Sequence, residues 1–158
     1  MLFSRINRSN PEKVFVVAKN SYATASLTNG QAVMWDYATD ADGVGVTLTA
    51  TGTGRAGHYG TAFAGIAAET IASGDYGLLQ VYGYHSATRV RNNTGGNPAI
   101  AAGTGLTCVN AIFALESYPA AAGATSTITL HNAHWVGFAL AAQASWTTKA
   151  IAVFIKGL

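Results

Sequence analysis

The chain is a succession of short apolar or alternating runs, separated about every ten residues by Gly, Asn, Asp or Pro. Segment 44–52, VGVTLTATG, alternates Val, Val and Leu with Gly and Thr, which is the period of a strand. Segment 13–19, KVFVVAK, is a β-branched run bounded by polar residues. Short strands at this spacing predict an all-β fold. We expect an antiparallel β-sandwich or barrel, of jelly-roll or β-tulip type, with long Gly/Ala-rich loops and little helix.

The same patterns predict where the other strands lie and how the chain is divided. The further predicted strands are 31–38, 61–67, 76–85, 87–92, 106–117, 126–140 and 149–158. Two short stretches, GIAAETIA (65–72) and AAQASW (141–146), are long enough for one or two helical turns. With 158 residues the chain fits one domain. We predict a basic N-terminal arm over 1–12 and a single β domain over 13–158.

Charge is scarce and unevenly placed. Charged residues make up 10% of the chain, against about 25% in ordinary soluble domains. A surface so poor in charge favours a protein that covers much of itself with partners. The formal net charge of +2 is too small to indicate a nucleic-acid surface. Arg5, Arg8, Lys13 and Lys19 cluster at the start. This cluster predicts either an arm that contacts an acidic surface or a solvated terminus.

Targeting signals and paired cysteines are missing from the sequence. The first residues lack the apolar region of a signal peptide, and no apolar run approaches a membrane span. We therefore expect synthesis in a cytoplasm and no membrane partner. Cys108 is the only cysteine, so an intrachain disulfide is excluded. It lies in an apolar run, which predicts a buried, inert thiol.

The stretch GTGRAG, residues 52–57, has the G-x-G-x-x-G spacing of a dinucleotide loop. That function requires a helix whose N-terminal amides face the pyrophosphate. His58 and Tyr59 follow instead, with further glycines and no amphipathic period. Although Asp75 lies at the distance of a ribose-binding acid, we interpret the stretch as a flexible connection between two strands. No cofactor is expected.

The histidines do not form a set of metal ligands. His131 and His134 are three apart in a predicted strand, so their side chains point to opposite faces. His58 and His85 each stand beside a tyrosine, with no acid or cysteine to complete a site. Structural or surface histidines are the better interpretation.

The acids form one local cluster, Asp36, Asp40 and Asp42, in WDYATDADG. It lacks the spacing and the terminal glutamate of an EF-hand loop, so a solvated turn with Asx hydrogen bonds is expected. A weak cation site there is the alternative. No G-x-S-x-G elbow is present, and we expect no catalysis.

Aromatic residues are the remaining candidates for recognition. Tyr82 and Tyr84 are two apart and share one face of a predicted strand. With other aromatic side chains they could line a sugar-binding face, or they could fill the core. The other candidates are Trp35, Trp135, Trp146 and Tyr118.

Four separated motifs are NGQAVMWD (29–36), FAGIAAETIASGDYGLLQVYG (63–83), GTGL (103–106) and WVGFALAA (135–142). Together they resemble the capsid decoration (cement) proteins of tailed bacteriophages. The residues that carry the resemblance are Gly65, Ile66, Ala67, Ile71, Ala72, Gly74, Gly77, Val81, Gly83 and 136–140.

The resemblance implies a non-enzymatic virion protein that binds the outer surface of a capsid lattice and stabilises it. Its partners would be the major capsid protein and neighbouring copies of itself, with a trimer favoured. The implied lattice contacts are Arg5, Arg8 and Lys13 in and beside the arm, and Arg55 in the glycine-rich connection. A carbohydrate- or receptor-binding β module of a phage fibre or tail stays open as the alternative.

Overall fold

The computed structural model describes residues 12–40, 42–48, 62–92, 99–108, 112–117, 135–144 and 147–157. Over these ranges the chain has strands, turns and bends and no helix, which confirms the all-β prediction. The strands are β1 (Lys13–Asn20), β2 (Ala32–Trp35), β3 (Gly45–Thr47), β4 (Phe63–Ala67), β5 (Tyr76–Arg91), β6 (Gly105–Cys108), β7 (Leu115–Ser117), β8 (Gly137–Ala139) and β9 (Lys149–Lys156).

These strands form one nine-stranded sheet that closes on itself twice. The N-terminal circuit runs β1-β3-β2-β4-β5 and returns to β1. The C-terminal circuit runs β5-β7-β6-β8-β9 and returns to β5. The 16-residue β5 belongs to both, so it joins two barrel-like halves. Most pairings are antiparallel, as predicted, but β1–β3 and β5–β7 are parallel, which makes the sheet mixed.

Strand β5 bends where it passes from one circuit to the other. Opposite β1 the register skips Val81, which is the signature of a bulge. Gly83 has φ of 97° two residues later. The Gln80 side chain donates hydrogen bonds to the carbonyls of Tyr82 and Tyr84 at 3.1 and 3.0 Å. A buried amide on the strand therefore braces its own bend.

Each circuit contributes one buried apolar cluster. The first draws on all five strands of the N-terminal circuit: Ala18, Leu27, Val33, Val46, Ala64, Ala67, Ile71 and Leu79. The second draws on the C-terminal circuit: Val90, Ile100, Leu106, Cys108, Leu115, Val136, Ala139, Ile151, Val153 and Ile155. Ala32 and Ile66 also belong to the second cluster, although β2 and β4 lie in the N-terminal circuit. Because β2 and β4 face both clusters, the two halves pack against each other.

The structure corrects several predicted boundaries. Segments 76–85 and 87–92 are one strand, with a register shift opposite β9 between His85 and Thr88. Segment 106–117 is divided between β6 and β7. Of segment 126–140, residues 126–134 lie outside the described ranges, and β8 occupies 137–139.

Neither predicted helical stretch is helical where it is described. In 65–72 the chain finishes β4, bends, and forms an isolated bridge from Ile71 to Leu27. In 141–144 it bends and forms a bridge from Gln143 to Ile100. The backbone N–H and C=O groups of both stretches form hydrogen bonds with distant segments. This pairing outweighs the helix propensity of their alanines. Within the described parts of the chain, no helix has the length and apolar character needed to cross a membrane.

Candidate functional site

Exposed apolar side chains lie together on the outward face of the β1–β5 ladder. Phe15 and Val17 on β1 are 42% and 63% exposed, and Leu78 and Tyr76 on β5 are 41% and 63% exposed. Val17 lies directly opposite Leu78, and Tyr76 lies opposite Lys19. The four side chains therefore form a contiguous apolar surface on a paired sheet, which we call the apolar ladder.

Strand periodicity explains this surface. In KVFVVAK the residues Lys13, Phe15, Val17 and Lys19 alternate with Val14, Val16 and Ala18. Val16 packs against the N-terminal cluster and Ala18 belongs to it, so the other set faces outward. Taken as a continuous apolar run, the segment predicts no distinction between its faces, whereas the structure gives it one buried and one exposed face. The lysines at both ends of the alternating set were the signal for the outward face.

Of the four predicted lattice contacts, Lys13 is the one that the structure describes. It begins β1, is exposed, and its Nζ lies 6.0 Å from the centre of the Tyr84 ring. Arg5, Arg8 and Arg55 lie outside the described residues. The apolar ladder begins two residues after Lys13 on the same strand. On its other side, Lys13 is next to Tyr84, which belongs to a second surface on β5.

That second surface is a row of aromatic side chains on strands β8, β9 and β5. Phe138 on β8 is paired with Phe154 on β9, and their rings stack at 5.2 Å with an angle of 16°. Phe154 is in turn paired with Tyr84 on β5. The Tyr82 ring meets Phe154 edge-on at 5.3 Å. Tyr82 and Tyr84, which were predicted to share a face, both have partly exposed side chains, so they are not fully buried in the core.

Trp135 completes the row, and its ring lies on the backbone of Gly105. A Cβ placed on Gly105 would lie 2.9, 3.0 and 3.2 Å from the indole atoms Cδ2, Cε2 and Cγ. Gly105 is paired with Phe138, so the indole lies at the β6 end of the row. Trp135 is 59% exposed. We call Trp135, Phe138, Phe154, Tyr84 and Tyr82 the aromatic row.

The acidic cluster forms a hydrogen-bonded turn. Asp40 accepts hydrogen bonds from the amides of Asp42, at 3.1 Å, and Gly45, while Asp36 accepts one from the Thr39 hydroxyl. These are the Asx interactions that the sequence predicted. Over the described ranges, no three acids, histidines or cysteines come together as a metal site.

A buried polar group lies across β5, β7 and β6. Glu116 on β7 is paired with Arg91 on β5 and with Thr107 on β6. The nearest oxygen and nitrogen of the Glu116–Arg91 ion pair are 3.9 Å apart. Glu116 Oε2, Thr107 Oγ1 and Arg91 Nε are buried without a hydrogen-bond partner. Burial raises the pKa of Glu116, and Arg91 opposes that rise.

The described histidine and the cysteine are structural. His85 is 6% exposed, and its Nε2 lies 3.2 Å from Asn29 Oδ1. Its Nδ1 accepts a hydrogen bond from the Ala87 amide at 3.3 Å, which requires a neutral ring with the proton on Nε2. Burial lowers the pKa of His85, and Lys13 adds to the effect. Burial also raises the pKa of the Cys108 thiol to about 12, so it is inert as predicted.

Several candidates lie outside the described residues. They are the glycine-rich stretch 52–57, His58, His131, His134, Trp146 and Tyr118. Trp35, by contrast, is partly buried and packs against the N-terminal cluster, so it is a core residue and not part of a sugar-binding face.

No family model matches the chain. No curated protein matches it either. Among solved structures, it is similar to the N base of the head fiber gp8.5 in bacteriophage phi29, with a TM-score of 0.46 and 12% identity. That alignment covers 92% of this chain and 97% of the other.

Proposed function

We propose that this chain is a non-enzymatic structural protein of a bacteriophage virion. In this role it binds the outer surface of the capsid lattice and stabilises it as a decoration protein. Its partners are the major capsid protein and neighbouring copies of itself, with a trimer favoured. No cofactor, nucleic acid or membrane takes part. The protein is made in the cytoplasm of the bacterial host and resides on the capsid surface.

The observation that carries this proposal is the apolar ladder. Large contiguous apolar surfaces on soluble proteins mark sites of interaction. Phe15, Val17 and Leu78 lie on paired strands, so burying them against a partner requires no ordering of a loop, and little affinity is lost to conformational entropy. The low charge content of the whole chain supports the same conclusion.

Lys13 and Lys19 bracket the apolar ladder along β1. An apolar centre with cations at its rim suits a partner surface that is apolar in the middle and acidic at its edge. The sequence immediately before β1 carries Arg5 and Arg8. We propose that these arginines and the ladder dock on the same shell, and that Arg55 contacts it as well.

Because a capsid lattice repeats the same binding site many times, each copy of the protein needs only a modest affinity for its own site. Each copy adds its own interface, and copies that also touch one another bind with an effective concentration set by the lattice. Stabilisation of the particle then follows from many copies rather than from one very tight site.

The proposal is tested by mixing the purified protein with undecorated capsids of the source phage. We expect the protein to co-sediment with the capsids and to raise the temperature at which they fall apart. Mass spectrometry of purified virions should detect the protein at many copies per particle. The proposal would be overturned if the protein were absent from virions, or if it neither bound the capsids nor changed their stability.

The alternative function is a carbohydrate- or receptor-binding module of a phage fibre or tail. A separate observation favours carbohydrate binding, namely that the Trp135 ring lies on the backbone of Gly105 and is 59% exposed.

A further inference from the structure

The indole of Trp135 is held as a flat platform. Three of its atoms, Cγ, Cδ2 and Cε2, are almost equally far from the position where Gly105 would carry a Cβ. One ring face therefore lies on the glycine. Because Trp135 is 59% exposed, the opposite face is open to solvent.

A platform of this kind suits a particular class of ligand. A tryptophan that anchors a protein interface usually fills a pocket of its partner. An indole that lies flat on its own sheet cannot enter a pocket and instead presents its electron-rich face. The complementary group is a flat array of weakly positive C–H bonds, which is what one side of a sugar ring offers.

The rest of the aromatic row extends the platform. From β6 to β5 it crosses three strand spacings of about 4.8 Å, or roughly 14 Å, which is longer than one sugar ring. At the β5 end the phenol groups of Tyr82 and Tyr84 supply donors and acceptors. Lys156, which is paired with Tyr82, adds a further donor. Stacking at one end and hydrogen bonding at the other match an oligosaccharide.

Charge argues against nucleic acid at this surface. A phosphate backbone requires several cations along its path. Among the described residues, Lys13 lies over the Tyr84 ring and Lys156 is paired with Tyr82. Two lysines are enough to contact sugar hydroxyls, but they are too few to neutralise the phosphates of a nucleic-acid strand.

We propose that the aromatic row binds a carbohydrate chain, with one sugar stacked on Trp135. This inference deepens the alternative function, because it names the site and the ligand class, and it does not depend on capsid binding. The row and the apolar ladder involve different side chains, so one protein can use both.

The test screens the full-length protein on an array of neutral and acidic glycans. The best glycan is then titrated by calorimetry. We expect Trp135→Ala to weaken binding at least tenfold. Gly105→Ala retains the tryptophan but places a methyl group under its ring, so it should also weaken binding severalfold. Tyr37→Ala removes an aromatic side chain that is 70% exposed and outside the row, and it should bind as the wild type does.

Thermal melting confirms that each variant is folded, and Trp135→Phe provides a milder change if the alanine variant is not. The inference is overturned if no glycan on the array binds, or if Trp135→Ala binds like the wild type. It is also overturned if Trp135→Ala and Gly105→Ala abolish capsid binding while glycan binding is unchanged, because Trp135 would then be a protein contact. Capsid binding by all three variants, with glycan binding lost in two, supports it.

Discussion

Val17 lies directly opposite Leu78 in the β1–β5 ladder, and both side chains are exposed to solvent. The next pair along the ladder, Val16 and Leu79, faces the opposite side and packs in the N-terminal cluster. The ladder therefore has two apolar faces. A sheet with one solvated face normally alternates apolar and polar residues, and the second apolar face supports the proposal that a partner covers it.

The bend of β5 gives a prediction for stability. A Cβ at Gly83 would lie 1.9 Å from the Glu12 carbonyl oxygen, and its φ of 97° disfavours other residues. Gly74 has a similar φ of 86° but nothing within 4 Å of the same position. We expect Gly74→Ala to lower the free energy of unfolding by about 1–2 kcal/mol, the cost of the backbone conformation alone. Gly83→Ala should cost clearly more in urea denaturation, and equal losses would show that the contact with Glu12 is unimportant.

The shared strand predicts cooperative unfolding of the two halves. Leu79 is fully buried in the N-terminal cluster, and Leu106 is fully buried in the C-terminal cluster. Truncating either to alanine should cost about 2–5 kcal/mol. Because β5 belongs to both circuits, each variant should still unfold in one calorimetric transition at a lower temperature. Two separated transitions in Leu79→Ala would mean that the circuits are independent.

His85 predicts a loss of stability on acidification. Its pKa lies below the ordinary 6.5 in the folded state, because burial and Lys13 disfavour the charged ring. The unfolded chain therefore takes up the proton first. The contribution of His85 is complete above pH 6.5 and is lost as the pH falls through the folded pKa. Urea unfolding from pH 7.5 to pH 5 measures how the free energy of unfolding falls with pH. In a matched His85→Gln variant this free energy should fall less over the same range.

NMR titration of the imidazole provides the direct check on His85. The neutral ring should carry its proton on Nε2, since Nδ1 accepts from Ala87. A proton on Nδ1 at neutral pH, or a folded pKa above 6.5, would contradict the assignment.

For Glu116 we expect the opposite pH dependence of stability, with a loss as the pH rises. Its folded pKa is raised above 4.5 because burial outweighs the attraction of Arg91. Its contribution is therefore complete below pH 4.5 and is lost as the pH rises through the folded pKa. Glu116→Gln removes this titration. The melting temperature of the variant, minus that of the wild type, should therefore increase as the pH rises. A difference that stays constant from pH 4 to pH 8 would show that Glu116 is not perturbed by burial.

The sequence predicted the strand character of this chain but not its connections. Alternation in 44–52 and the β-branched run in 13–19 were sufficient for an all-β prediction. The sequence pattern predicts 76–85 and 87–92 as separate strands, whereas the structure joins them in one strand with a register shift between His85 and Thr88. The parallel pairing of β1 with β3 depends on contacts between distant segments, which local patterns do not encode.

The candidate sites were predictable to different degrees. Tyr82 and Tyr84 were identified from their spacing, but Phe138 and Phe154 join them only through the order of the strands. The burial of Glu116 beside Arg91 and Thr107 likewise requires three strands to be brought together.

The most direct test replaces the centre of the apolar ladder. Val17→Asp combined with Leu78→Asp places two charges where a capsid contact would exclude water, and Tyr37→Asp adds a charge at an exposed position elsewhere. Each protein is mixed with undecorated capsids and sedimented, after its fold is checked by thermal melting. We expect the double variant to remain in the supernatant while Tyr37→Asp and the wild type pellet with the capsids. Undiminished co-sedimentation of a folded double variant would contradict the assignment of the ladder as the capsid-binding surface.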